Sequence, residues 1–129
     1  MYGFYRIAAA VPRVKVADVK FNTEEILRLY DLAVRRQCAA VVFPELCVTG
    51  YSCGDLFFQQ TLLDSAKFAA LELIQKSGET VLIFGLPLKY KDAIYNVAAV
   101  AQNGKLLGMV PKCHLPNYRE FYEKRQFTS

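Results

Sequence analysis

Short apolar runs alternate with amphipathic stretches along the first two thirds of this chain. Residues 6–11 (RIAAAV) form an apolar run that Pro12 ends, the pattern of a buried strand. Residues 14–21 alternate weakly and read as a loop. From Asn22 onward, Ile26, Leu29, Tyr30, Ala33 and Gln37 recur at helical spacing, and four of the five build one apolar face. Asn22 is a favoured N-cap type. Glu25 stands three residues on, and Glu24 and Glu25 face the positive end of the dipole, so the pattern predicts a helix over 22–37. Residues 39–43 (AAVVF) are apolar on both faces and read as a second strand, stopped by Pro44. Strand, helix and strand in so short a stretch make a βαβ unit, whose sheet is covered by helices.

The stretch 45–55 (ELCVTGYSCGD) is loop-like, with Gly50 and Gly54 free to take unusual backbone angles. Asp55 is a candidate cap for a short helix through Gln60. A longer helix is expected over 62–76, ended by Ser77 and Gly78. Three strands follow: 80–87 (TVLIFGLP), 94–101 (IYNVAAVA) and 106–110 (LLGMV). A charged turn at 89–92 joins the first two, and Asn103-Gly104 is a two-residue hairpin signal between the last two. Residues 111–129 are polar, aromatic and irregular. The order β-α-β-α-β-β-β mixes a parallel opening with antiparallel hairpins, which predicts an α/β (α+β) domain with a mixed sheet. No closing helix follows the last strand, so more chain or another subunit is expected over the open sheet face.

Composition narrows the functional classes. The 129 residues are 53% hydrophobic and 22% charged, values of a globular domain and not of a disordered chain. A net charge of +4, with the basic residues scattered, gives no footprint for nucleic acid. No apolar run approaches the ~20 residues of a membrane helix. Cys38, Cys47, Cys53 and Cys113 form no CxxC pair. With His114 the single histidine, a zinc site is not expected. The N-terminus lacks the basic region of a signal peptide, so free thiols in a reducing cytoplasm are expected.

Two positions stand out for chemistry. Glu45 follows Pro44 at the carboxyl end of an apolar strand, where open α/β sheets bind ligands. Flanked by Phe43 and Leu46, it is of the right type for a general base. Lys112 follows the last strand in VPKCHLP, and its ammonium suits a developing oxyanion. His114, beside Leu115 and Pro116, reads as structural. The aromatic and basic tail 117–127 suggests stacking on RNA, but Glu120 and Glu123 cancel two of its charges, and a packed loop is the better reading. Neither GxxxxGK nor GxGxxG after a strand is present, so no recognisable ATP device lies in this chain.

Single positions lead no further, but two segments in combination do. VVFPELCVTGYSCGDLF (41–57) and VPKCHLPNYREFYEKRQF (110–127) together resemble the carbon–nitrogen hydrolase, or nitrilase, superfamily. FPEL followed by TGY is similar to the superfamily at large. GYSCGDLF and LPNYREFYEKRQF resemble more specifically the glutaminase domains of glutamine-dependent NAD synthetases. RIAAAVP, NTEEI and IFGLP extend the likeness over nearly the whole chain. The resemblance implies a nitrilase-like αββα sandwich, of which residues 1–129 are the N-terminal portion, and a Glu–Lys–Cys triad. By position, Glu45 matches the general base and Lys112 the catalytic lysine. Tyr118 matches a residue lining the glutamine pocket, and Glu120, eight residues after Lys112, a second glutamate that supports the site. The nucleophilic cysteine of the family comes after a further strand, and Cys47, Cys53 and Cys113 match non-catalytic positions.

The resemblance further implies L-glutamine as substrate and ammonia passed to a separate synthetase domain. That domain would use ATP and magnesium to amidate deamido-NAD, so no cofactor is expected in this segment. A homo-oligomer is expected; nucleic acid and membrane are not. The alternatives are a stand-alone amidase of the same superfamily and a non-catalytic interaction module with the same fold. GYSCGDLF argues against the first, and Glu45, Lys112 and Glu120 occurring together argue against the second.

Overall fold

The computed structural model describes residues 3–116 and 123–129. Five strands make one mixed sheet in chain order: β1 (Ile7–Ala9), β2 (Ala40–Val42), β3 (Val81–Tyr90), β4 (Ala93–Gln102) and β5 (Lys105–Pro111). β1 and β2 pair in parallel through Ala8 and Val41, and β2 and β3 in parallel through Val41 and Leu82. β3, β4 and β5 then pair antiparallel, with Pro87 opposite Asn96 and Val97 opposite Pro111. Hence β2, β3 and β5 all point the same way. The chain leaves β2 and β5 at one edge of the sheet, which is where Glu45 and Lys112 lie.

Helices α1 (Val19–Arg35) and α2 (Gln60–Lys76) cover one sheet face. Ile26, Tyr30, Ala33, Ala66, Ala70 and Leu73 pack there on Val41, Leu82, Phe84, Leu86, Val97 and Ala99. Alternate strand residues supply this core, as the period of a pleated strand requires. Each fully buried Leu or Phe contributes on the order of 1.5–3 kcal/mol. The Tyr30 hydroxyl donates to the Thr80 carbonyl at 2.7 Å and accepts from Gly78 N–H at 2.8 Å, tying α1 to the start of β3. On the opposite face, Ile83, Ala98 and Val100 are half-buried and Val42 is exposed.

The mixed α/β sheet and its element order are as the sequence predicts, and four local readings change. α1 starts earlier, because Asp18 caps it by accepting from Phe21 N–H at 3.1 Å. Asn22 lies inside the helix, fully buried, where it bonds the backbone of Lys15 and Val48. In place of a short helix capped by Asp55, a 3₁₀ segment occupies Tyr51–Phe58, kinked at Ser52 and Gly54. β3 runs on to Tyr90, so the turn is confined to Lys91 and Asp92. The tail, read as irregular, contains a short helix α3 (Glu123–Gln126). At the other hairpin, Asn103 and Gly104 both have positive φ, at 52° and 75°, as a type I′ turn demands.

Candidate active site

The chain leaves β2 through Phe43 and Pro44 and turns at once over β3. Leu46 takes a left-handed φ of 53°, and its carbonyl accepts from Thr49 and Gly50 N–H. Residues 46–50 are buried, which is unusual for a connection between elements, so their backbone needs partners. Val48 N–H donates to the Gly85 carbonyl at 3.2 Å, Ala17 N–H to the Thr49 carbonyl at 2.7 Å, and the Asn22 amide to the Val48 carbonyl at 3.1 Å. Gly85 makes this turn possible. A β-carbon there would stand 2.7 Å from the Glu45 α-carbon and closer still to the Leu46 nitrogen. Glu45 thus projects from a turn held on several sides.

Lys112 arrives from the end of β5. Its N–H donates to the Asn96 carbonyl at 2.7 Å, extending the β4–β5 ladder by one bond. Its ammonium donates to Glu45 Oε2 and to Glu123 Oε1, each at 2.9 Å. Asn96 Nδ2 also donates to Glu45 Oε2 at 2.9 Å, and the Tyr51 hydroxyl donates to Glu123 Oε1 at 2.7 Å. The Glu45 side chain is 46% exposed, Lys112 28% and Glu123 4%. The group is therefore open at Glu45 and closed at Glu123. Burial pulls the Lys112 ammonium toward neutrality, but the hydrogen bonds to Glu123 and then to Glu45 outweigh it and hold Lys112 above the ordinary lysine value.

Glu123 is delivered by α3, which is clamped to the 3₁₀ segment. The Phe127 ring lies 4.8 Å from that of Phe57, and Arg125 makes a two-pronged pair with Asp55 at 2.8 and 3.0 Å. That pairing holds the Asp55 carboxyl below its usual range and the Arg125 guanidinium above its own. Glu123 Oε2 is buried and, among the described residues, has no hydrogen-bond partner.

The structure thus brings Glu45 and Lys112 together. Tyr118 and Glu120 lie outside the described residues, and the glutamate found on Lys112 is Glu123. His114 is exposed, beside Cys113 and Lys124. Cys38, Cys47 and Cys53 are buried, and Cys113 is exposed. Burial pushes the Cys47 thiol up to about 11, against a weaker opposing effect of its bond to the Gly85 carbonyl, and burial also raises Cys53. Neither is suited to become a thiolate. Among the described residues, no cluster of three His, Cys, Asp or Glu is arranged for a metal, and no helix is long and apolar enough to cross a membrane.

Sequence reading missed Asn96, Gly85, Tyr51 and Glu123. Two of them carried a signal. Asn96 is a lone amide in the apolar run IYNVAAVA, and Gly85 interrupts TVLIFGLP, the mark of a close backbone approach.

Comparison with known proteins shows the family. A family model described as Carbon-nitrogen hydrolase matches residues 6–129. The glutamine-dependent NAD(+) synthetase of Mycobacterium tuberculosis (strain ATCC 25618 / H37Rv) is 41% identical over 129 residues, covering 98% of this chain and 19% of that protein. The enzyme of the same description from Acinetobacter baylyi is 30% identical over 125 residues, covering 96% and 23%. Among solved structures, a glutamine-dependent NAD(+) synthetase from Cytophaga hutchinsonii superposes with a TM-score of 0.93 at 30% identity, covering 97% of this chain and 22% of that one. An amidase from Nesterenkonia sp. shares the fold, with a TM-score of 0.81 at 22% identity, covering 96% and 47%. The chain therefore spans about a fifth of the length of the synthetases it matches.

Proposed function

Because the chain belongs to the carbon–nitrogen hydrolase family, we propose that it forms part of the glutaminase domain of a glutamine-dependent NAD synthetase. The observation that carries this reading is the 2.9 Å contact between Glu45 and Lys112 at the carboxyl edge of the sheet. The likeness to several synthetases over nearly all of this chain favours that branch over a stand-alone amidase.

In the proposed reaction a cysteine thiol attacks the side-chain amide carbon of L-glutamine. A thiol of pKa ~8.5 is mostly protonated at neutral pH, so it needs a base. Glu45 takes that proton. Its Oε2 already accepts from Lys112 and Asn96, which leaves Oε1 as the oxygen facing the thiol. The carbonyl oxygen becomes an oxyanion, and Lys112, kept charged by Glu123, stabilises it. Glu45 returns the proton to the leaving nitrogen, the C–N bond breaks, and ammonia departs from a thioester. Water then attacks the thioester, giving its proton to Glu45; the C–S bond breaks, Glu45 returns the proton to the leaving sulfur, and glutamate is released with thiol and carboxylate restored. The nucleophile in this reading comes from chain outside these 129 residues, as the burial of Cys38, Cys47 and Cys53 supports. Tyr118 is proposed to line the glutamine pocket, and Glu120 to support the site. Ammonia would pass to a synthetase domain that uses ATP and magnesium, in a cytoplasmic homo-oligomer.

The test is nitrogen-source selectivity in the full-length enzyme. Glu45→Gln and Lys112→Ala are expected to abolish glutamine-driven NAD formation and to leave ammonia-driven formation intact. Loss of one oxyanion partner is worth ~2.7–4 kcal/mol, or ~10²–10³ in rate. Equal loss with both nitrogen sources, in folded variants, refutes the glutaminase role.

A further inference from the structure

Asn96 is the second group on Glu45, and its place in β4 gives it two connections to the site. Its carbonyl accepts from Lys112 N–H at 2.7 Å, while its side-chain amide donates to Glu45 Oε2 at 2.9 Å. One residue therefore holds the backbone of the lysine and the carboxylate of the glutamate. The β3–β4 register makes this possible. Asn96 and Pro87 stand opposite each other without exchanging backbone bonds, because the pleat turns the polar groups of Asn96 toward β5, where its carbonyl meets Lys112 N–H. Asn96 is 3% exposed. A buried amide of this kind needs partners, and an amide oxygen facing Glu45 would meet another acceptor, so its nitrogen must face the carboxylate.

We propose that Asn96 is a positioning residue for Glu45. It locks the rotation of the carboxylate, so that Oε2 stays bound by Asn96 and Lys112 and Oε1 alone is presented to the reacting proton. Without the amide, Lys112 is a single point of attachment, about which the half-exposed carboxylate can turn. The catalytic half of this inference rests on the glutaminase reading; the geometric half does not.

The experiment uses the full-length enzyme with Asn96→Ser and the isosteric Asn96→Asp. Both should lower kcat for glutamine by roughly ten- to a hundredfold, the scale of a lost hydrogen bond to a charged group, with KM little changed. Asn96→Asp also sets a carboxylate against Glu45, within a cluster that already contains Lys112, Glu123 and the Tyr51 hydroxyl. Like charges disfavour ionisation, so the acidic limb of kcat/KM should move to higher pH in Asn96→Asp. Asn96→Ser adds no charge but removes a donor to the ionised carboxylate, so it too should move the limb to higher pH, which a merely structural role for Asn96 would not do. A crystal structure of Asn96→Ser, read without substrate, should show the Glu45 carboxylate rotated or in more than one conformer. A kcat within twofold of wild type, a change in KM alone, or an unmoved Glu45 carboxylate overturns the proposal. If the wild-type enzyme itself releases no ammonia from glutamine, the glutaminase reading fails, and the position of Glu45 in Asn96→Ser still decides whether Asn96 holds it.

Discussion

At position 85, a β-carbon would press on the backbone of Glu45 and Leu46, and neither atom can swing aside as a flexible side chain would. Gly85→Ala should therefore lift the turn that carries Glu45. The expected cost is ~1–3 kcal/mol, typical of overpacking, read from the urea midpoint. Glutamine turnover should fall further than the lost stability explains. Gly108→Ala is the control, because a β-carbon there meets nothing within 4 Å. Equal behaviour of the two variants would show that the turn tolerates displacement. Lys112 offers a second check at this scale. Its pKa is raised in the folded chain, so the stability from its ion pairs is complete below the ordinary value of 10.5 and is lost as pH rises through the higher folded value. An NMR titration of the Lys112 side chain should give a midpoint above 10.5, and a midpoint at or below it would mean that the two carboxylates do not outweigh burial.

Within the βαβ unit, the start of α1 depends on residues that a helix pattern assigns to the wrong tasks. Asp18, not Asn22, caps α1, and the Asn22 amide instead ties the helix to residues 15 and 48. Substituting the exposed cap and substituting the buried tie should thus differ. Asp18→Ala is expected to cost ~1 kcal/mol, a usual N-cap value. Asn22→Ala should cost about 3 kcal/mol or more, because it leaves buried backbone groups unpaired beside the turn that carries Glu45. Denaturant unfolding of both variants measures the difference. An Asn22→Ala no more costly than Asp18→Ala would mean that water replaces the lost bonds.

On the scale of the whole molecule, the sheet has one face under α1 and α2 and, among the described residues, no helix on the other. Val42 and Ile7 are exposed, and Ile83, Ala98 and Val100 are half-buried. Residues 1–129 produced alone should associate as concentration rises, since uncovered apolar area of this kind seeks a partner. Sedimentation velocity over a concentration series measures this, and Val42→Lys should weaken it. A monomer at every concentration would mean that the face is stable in water. The same preparation should release no ammonia from glutamine. Alkylator-sensitive release near the full-length rate would make one of the four cysteines the nucleophile.

The order of strands and helices was legible in the sequence because burial repeats with the period of each element, as in AAVVF, TVLIFGLP and the Ile26–Tyr30–Ala33 face. Glu45 and Lys112 were legible because each follows an apolar strand, and β2 and β5 leave the sheet at the same edge. The start of α1 was not, since Asp18 and Asn22 are both good cap types and only the packing of residues 15 and 48 chooses between them. Glu123 was not, because spacing along an irregular tail does not tell which glutamate returns to Lys112. That choice depends on the Phe57–Phe127 contact and the Asp55–Arg125 pair, which clamp α3 to a segment about seventy residues earlier. Asn96 and Gly85 stood in the sequence as irregularities in apolar strands. What they serve was decided by tertiary structure, because the register of β3, β4 and β5 sets the one beneath the Glu45 turn and the other against its carboxylate.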